Sequence, residues 1–184
     1  LGVTDVTQSK ANRVFCAVRP PGLHAEFDSP MGFCLLNSVA IGAINVLNLP
    51  NIDRVAILDF DVHHGNGTVD LCREYPEILV CSSFQHPYYP HRLHDVTAPN
   101  IVNTPLEAGA SGADFRRAID DSWWQAIEGH RPDLIFISAG FDAHRADPLA
   151  QLNLDACDFA WITAEIVALA NQCSQGRIVS TLEG

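Results

Sequence analysis

The residues best equipped for chemistry stand close together. Asp59, Asp61, His63 and His64 fall within six positions and are followed by Gly65-Asn66-Gly67. Asp61 and His63 are two apart, so on an extended backbone they project to the same side. A carboxylate and an imidazole pointing together supply two of the three protein ligands of a catalytic zinc site. A polar turn that only caps the next helix needs one acid and no histidines. Two further groups lie far off in the chain: His24, and Asp142 with His144. A metal bound by Asp61, His63 and Asp142 would keep a position open for water or substrate, the catalytic form of such a site. The oxygen-rich set admits Fe2+, Mn2+ or Co2+ beside Zn2+. His144, two residues after Asp142, is a rival ligand. Binuclear manganese ureohydrolases carry Asp-x-His-x-Asp, where this chain has Gly65 in the last place, and a later Asp-x-Asp, where it has Asp142-Ala143-His144. Both differences favour one metal.

Strands must position these residues. Short continuous apolar runs at 54–60, 78–81 and 133–139 read as buried parallel strands, with further strands in 12–18, 101–106 (an edge) and 177–182. Helices are expected at 34–49, ended by Pro50, at 67–75, ended before Pro76, and at 112–129 and 155–173. Strands alternating with helices predict an α/β fold, a parallel sheet with helices on both faces. In such a sheet, ligands bind beyond the carboxyl ends of the strands. The loops holding His24, Asp61 with His63, and Asp142 each follow a predicted strand, so all three should meet at one edge. Residues 1–11 are polar and predict nothing. The 82–100 stretch, rich in Tyr, Pro and His, reads as a long functional loop. Its His91 and His94 have metal-like spacing but read as a surface loop. Trp123 and Trp124 read as helix packing.

A chain of 184 residues, 47% apolar and 18% charged, supports one domain with a substantial core. It begins without Met and ends at Leu182-Glu183-Gly184, so both ends are expected to be cut from a longer chain. The net charge of −11 argues against direct nucleic-acid binding and is compatible with cationic substrates. No apolar run is long enough to span a membrane. Six scattered cysteines, with no C-x-x-C, read as reduced residues of a cytoplasmic protein; Cys16, Cys34 and Cys81 are expected in the core.

Four ordered motifs carry a resemblance: Arg19-Pro20-Pro21-Gly22-Leu23-His24-Ala25, Gly32-Phe33-Cys34, Asp59 to Gly67, and Ser138-Ala139-Gly140-Phe141-Asp142. The chain resembles the zinc-dependent histone deacetylase family, most of all its class II and bacterial acetylpolyamine amidohydrolase-like branch. The resemblance implies an arginase/deacetylase-like fold, of which residues 1–184 form the central portion, truncated at both ends. It implies zinc ligands Asp61, His63 and Asp142. His24 matches the general base and acid, and Asn66 matches the residue that orients it. Asp59, Asp61 and His63, with Ser82 or Ser83, match a structural K+ or Na+ site. Gly32, Phe33 and Tyr89 match the substrate tunnel, and His64 a packed neighbour.

Two differences from the family stand out. Leu23 occupies the place of a histidine that pairs with Asp59, and the family's catalytic tyrosine lies in a segment that follows a Leu-Glu-Gly like the one ending this chain. The resemblance implies a metal-dependent amidohydrolase that removes an acetyl group from acetyl-lysine or an acetylated polyamine with metal-activated water. A homo-oligomer is compatible with this. Leu23 motivates a rival: an inert module of the same fold that binds acyl ligands.

Overall fold

The computed structural model describes residues 1–184. Its strands are β1 (Arg13–Cys16), β2 (Val55–Asp59), β3 (Ile78–Gln85), β4 (Ile101–Leu106), β5 (Leu134–Ala139) and β6 (Ile178–Leu182). They form one sheet in the order β1-β6-β5-β2-β3-β4, and every pair is parallel. The helices are α1 (Gly2–Thr7), α2 (Ser38–Val46), α3 (Asn66–Cys72), α4 (Gly112–His130) and α5 (Ala156–Cys173).

The apolar strands divide their side chains between two cores, as the two-residue period of a strand requires. Val55, Ile57, Ile78, Val80, Leu134 and Phe136 join Val39, Ala43 and Val69 of α2 and α3 on one face. Ala56, Leu58, Leu79, Cys81, Ile135 and Ile137 join Ile119, Trp123, Ile162 and Ile166 of α4 and α5 on the other. Both faces are therefore dry, which is why these strands read as unbroken apolar runs. Both long helices start on a capping box: Ser111 with Asp114 for α4, and Asp155 with Asp158 for α5.

The chain departs from β2 to β3 and β4 on one side, then returns to β5 on the other. The crevice between β2 and β5 is a topological switch point, the usual ligand position in an open parallel sheet. The loops after β1, β2, β3, β5 and β6 all leave from the same edge.

Three local expectations change. Residues 2–7 form α1, which buries only Gly2 and Val6 and so leaves no periodic apolar signal. α2 starts at Ser38 rather than near residue 34, because the Asn37 side chain caps it by accepting from the Ala40 N–H. β3 continues through Ser82-Ser83-Phe84-Gln85, whose polar side chains conceal a fully buried strand. All six cysteines are free; Cys34, Cys72 and Cys81 are buried, whereas Cys16, at an edge strand, is only half-buried. Trp123 is fully buried and donates to Thr104 Oγ1 at 3.1 Å. No helix is long and apolar enough to cross a membrane.

Candidate metal centre and catalytic pocket

Asp59 ends β2, and the following residues turn over the sheet edge by hydrogen bonding to their own carboxylates. The Asp61 N–H donates to Asp59 Oδ1 at 3.1 Å, and the His63 N–H donates to Asp61 Oδ1 at 2.9 Å. From the loop after the neighbouring strand β5, Asp142 Oδ1 accepts the Val62 N–H at 2.9 Å. These bonds aim three side chains at one point. His63 Nδ1 lies 3.0 Å from Asp61 Oδ1 and 3.1 Å from Asp142 Oδ2. One ligand atom from each of Asp61, His63 and Asp142 falls within 4.8 Å of the others. Gly140 has to be glycine here, since a Cβ would sit 2.2 Å from Asp61 Oδ2.

The electrostatics fit a cation. Two buried carboxylates converge on one imidazole nitrogen. Burial lowers the pKa of His63, but the bonds to Asp142 and Asp61 outweigh it and push it up to about 10. Burial and the neighbouring Asp142 raise Asp61 to about 6. Burial would raise Asp142 as well, yet His63 and the Val62 N–H hold it below the usual carboxylate range. A proton on His63 thus stands where a divalent ion would satisfy all three groups at once. His144, the rival ligand, is outside this group; its Nδ1 accepts the Ala146 N–H at 3.2 Å. His64 is 1% exposed, bonded through Nε2 to Asn103 and edge-on to Phe84, so it is packed beside the site.

His24 arrives on the loop after β1. The Leu23 carbonyl accepts from the N–H groups of Gly67 and Thr68, which ties this loop to the start of α3. His24 Nδ1 is 2.8 Å from Asn66 Oδ1, a buried contact. Gly32, at φ +55°, packs so closely that a Cβ would meet His24 Cδ2 at 2.3 Å. Burial pulls the pKa of His24 down to about 4, against the opposing bond to Asn66, so the ring is neutral at neutral pH. Its ring lies 5.7 Å from His63 and 5.2 Å from Tyr89, edge-on to both.

A cavity of about 550 Å³ opens over these groups. His24, Asp61, His63 and Asp142 line it together with Pro21, Leu23, Gly32, Phe33, Tyr89 and Leu149. Phe33 stands 91% exposed at the surface. Tyr88 stacks on His63 with ring centroids 5.3 Å apart, and its hydroxyl donates to the Leu149 carbonyl.

Asp59 lies behind the cavity, fully buried, where Ser82 Oγ donates to its Oδ2 at 3.1 Å and Ser83 Oγ to its carbonyl at 3.4 Å. Asp59, Ser82 and Ser83 are thus gathered at one place. Burial, with the charges of Asp61 and Glu183, raises the Asp59 carboxyl well above its usual range. Leu23 supplies no polar partner to it.

Glu183 escaped the sequence reading. Its fully buried carboxylate accepts the Gly22 N–H at 2.6 Å, the Leu23 N–H at 3.2 Å and Ser138 Oγ at 3.2 Å. Arg19 donates to its backbone carbonyl. It therefore pins the loop before His24 to the ends of β5 and β6, and burial pushes its pKa up to about 7. The next residue, Gly184, donates its N–H to Asp61 Oδ2 at 2.9 Å. A lone acid after a strand carries no local pattern, and its partners lie about 160 residues away. Leu149 was missed as well, whereas Tyr88 fell within the 82–100 loop read as functional without being singled out.

Residues 1–184 match the family model described as the histone deacetylase domain. The chain belongs to the histone deacetylase family. An uncharacterized protein of Synechocystis is 41% identical over 173 residues, covering 90% of this chain and 56% of that protein. Rice histone deacetylase 10, chloroplastic, is 41% identical, covering 92% and 40%. The histone deacetylase-like amidohydrolase of Pseudomonas aeruginosa is 32% identical, covering 97% and 49%. The crystal structure of the HDA15 HD domain superposes with a TM-score of 0.87 at 31% identity, over 99% of this chain and 54% of that one. The chain thus spans about half the length of these relatives, and its parallel sheet is the deacetylase-like sheet that the motifs predict.

Proposed function

We propose that the protein is a metal-dependent amidohydrolase that removes an acetyl group from acetyl-lysine or an acetylated polyamine. The observation that carries this reading is the convergence of Asp61, His63 and Asp142 with the neutral His24 at one cavity. Asp61, His63 and Asp142 would hold the ion, with Zn2+ the leading candidate and Fe2+, Mn2+ and Co2+ compatible with the same donors. Such an ion supplies Lewis acidity to the amide carbonyl and lowers the pKa of water.

The chain's own residues do the rest. His24 accepts a proton from the attacking water through Nε2, since Nδ1 is engaged by Asn66. The water oxygen bonds to the carbonyl carbon, the C–N bond breaks, and His24 passes the proton to the departing amine. Phe33 and Tyr89 form the aromatic walls against which a methylene chain would lie. The net charge of −11 suits a substrate with cationic groups beyond the scissile amide. Asp59, Asp61 and His63, with Ser82 and Ser83, would form a K+ or Na+ site that braces the loop after β2. The test is acetate release by the full-length protein from acetyl-lysine peptides and from acetylated polyamines. Hydrolysis of either class supports the reading; hydrolysis of neither contradicts it.

A second reading is favoured by one residue. Leu23 is 2% exposed and, by the family resemblance, takes the place of a histidine that pairs with Asp59, which suits a weak or inert binder of acyl ligands. Under the hydrolase reading, wild type already turns over substrate and Leu23→His changes kcat by less than about tenfold, a barrier change of about 1.4 kcal/mol. An inactive wild type that gains activity with Leu23→His supports the binding module instead.

A further inference from the structure

Asn66 can face His24 in two ways, and the choice decides whether His24 can act as a base. With Oδ1 toward the ring, His24 must donate from Nδ1, and Nε2 keeps a free lone pair for the cavity. With the NH2 group toward the ring, Nδ1 accepts, Nε2 carries the proton, and the ring cannot take another from water. Glu26 bears on this choice. Its Oε1 is 2.6 Å from Asn66 Nδ2, and its side chain is 5% exposed. An ionised carboxylate only accepts, so it requires the NH2 group on its own side and the Oδ1 on the side of His24. The other neighbours of Asn66 Nδ2 are weaker acceptors: Met31 Sδ at 3.2 Å and the His24 carbonyl at 3.4 Å. Arg92, from the loop after β3, donates to Glu26 Oε2 at 2.9 Å, a charge-assisted contact that occupies the other carboxylate oxygen.

We propose that Glu26, held by Arg92, is a positioning residue that fixes the proton-bearing nitrogen of His24 through Asn66. This rests on reading His24 as the general base. It also assigns a purpose to the Arg92-bearing loop after β3, which supplies the guanidinium that holds Glu26. Arg92 and Asn66 both donate to Glu26, and His24 in turn donates to Asn66 Oδ1, so every contact has one donor and one acceptor.

The test is a pair of substitutions in the full-length protein. Glu26→Gln can turn its own NH2 toward Asn66 and release the selection. It should lower kcat about 10- to 100-fold, the usual effect of removing such a supporting contact, with KM little changed. Asn66→Asp keeps an acceptor facing His24 but sets two carboxylates against each other, and should also lose activity. The double variant Glu26→Gln/Asn66→Asp should recover most of it, because the amide introduced at position 26 can then donate to the carboxylate introduced at position 66. Additive losses in the double variant overturn the proposal, because the recovery depends on the two positions acting through one contact. The ring 15N spectrum of His24 reads the tautomer without any substrate. Wild type should hold the neutral proton on Nδ1, and Glu26→Gln should show an Nε2-protonated population. An unchanged spectrum in Glu26→Gln contradicts the proposal. A wild type that releases no acetate but shows the tautomer shift means instead that the deacetylase reading has failed and the relay stands.

Discussion

At the scale of the residue, the site depends on two histidines kept in opposite states. His24 is buried beside a neutral amide and stays unprotonated, with a pKa near 4. His63 is flanked by two carboxylates and binds its proton up to about 10. One is suited to accept a proton, the other to exchange its proton for a cation. His24→Ala is therefore expected to lower kcat by about 10²- to 10⁴-fold while leaving metal content unchanged, read by kinetics and metal analysis. The metal affinity should depend on pH. Below about 10 the ion must expel the His63 proton, so the apparent affinity should rise about tenfold per unit between pH 7 and 9. Below about 6 the protonation of Asp61 adds a second competitor and steepens the loss. A pH-independent affinity, measured by competition with a chelating dye, would contradict this assignment.

The grouping of Asp61, His63 and Asp142 was legible in the sequence because Asp61-Val62-His63 has strand spacing and Asp142 follows another apolar run. Glu183, Glu26 and Arg92 were not legible. Each is a single charged residue without a pattern, and its meaning comes from a partner in another loop: Glu183 with Gly22, Glu26 with Asn66, Arg92 with Glu26. Leu23 was visible as a difference, but its burial and its N–H donation to Glu183 arise only in the folded chain.

At the scale of the element, β2 does most to position the chemistry. It lies between β5 and β3, and its five residues are all buried. Ile57 is fully buried in the core shared with α2 and α3, two residues before Asp59. Ile57→Ala should cost about 2–5 kcal/mol in stability, measured by denaturant unfolding, as cavity-forming substitutions in packed cores do. A cost below about 1 kcal/mol would mean that the strand relaxes around the cavity and is not the rigid support described here. The strands were readable because burial on both faces leaves them uniformly apolar. The end of β3 was not, since Ser82, Ser83 and Gln85 are buried while bonded to Asp59 or Gln151. Polar residues satisfied by tertiary bonds look like a loop in the sequence. The short α1 was hidden for the opposite reason, having almost no buried face to reveal it.

At the scale of the whole molecule, the loops after β1, β2, β3, β5 and β6 bring His24, Asp61, Tyr89, Asp142 and Gly184 to one cavity, though they span residues 24 to 184. Parallel topology accomplishes this, because every strand delivers its carboxyl end to the same edge. Above all, Asp61, His63 and Asp142 are proposed to hold a single divalent ion on which hydrolysis depends. The most direct measurement removes metal from the full-length protein, then returns Zn2+ in known amounts while following bound metal and acetate release. The expected result is loss of activity in the metal-free protein, recovery that saturates at one catalytic equivalent, and neither tight binding nor recovery in Asp142→Asn. Full activity in protein proven free of metal would contradict catalysis by a bound ion.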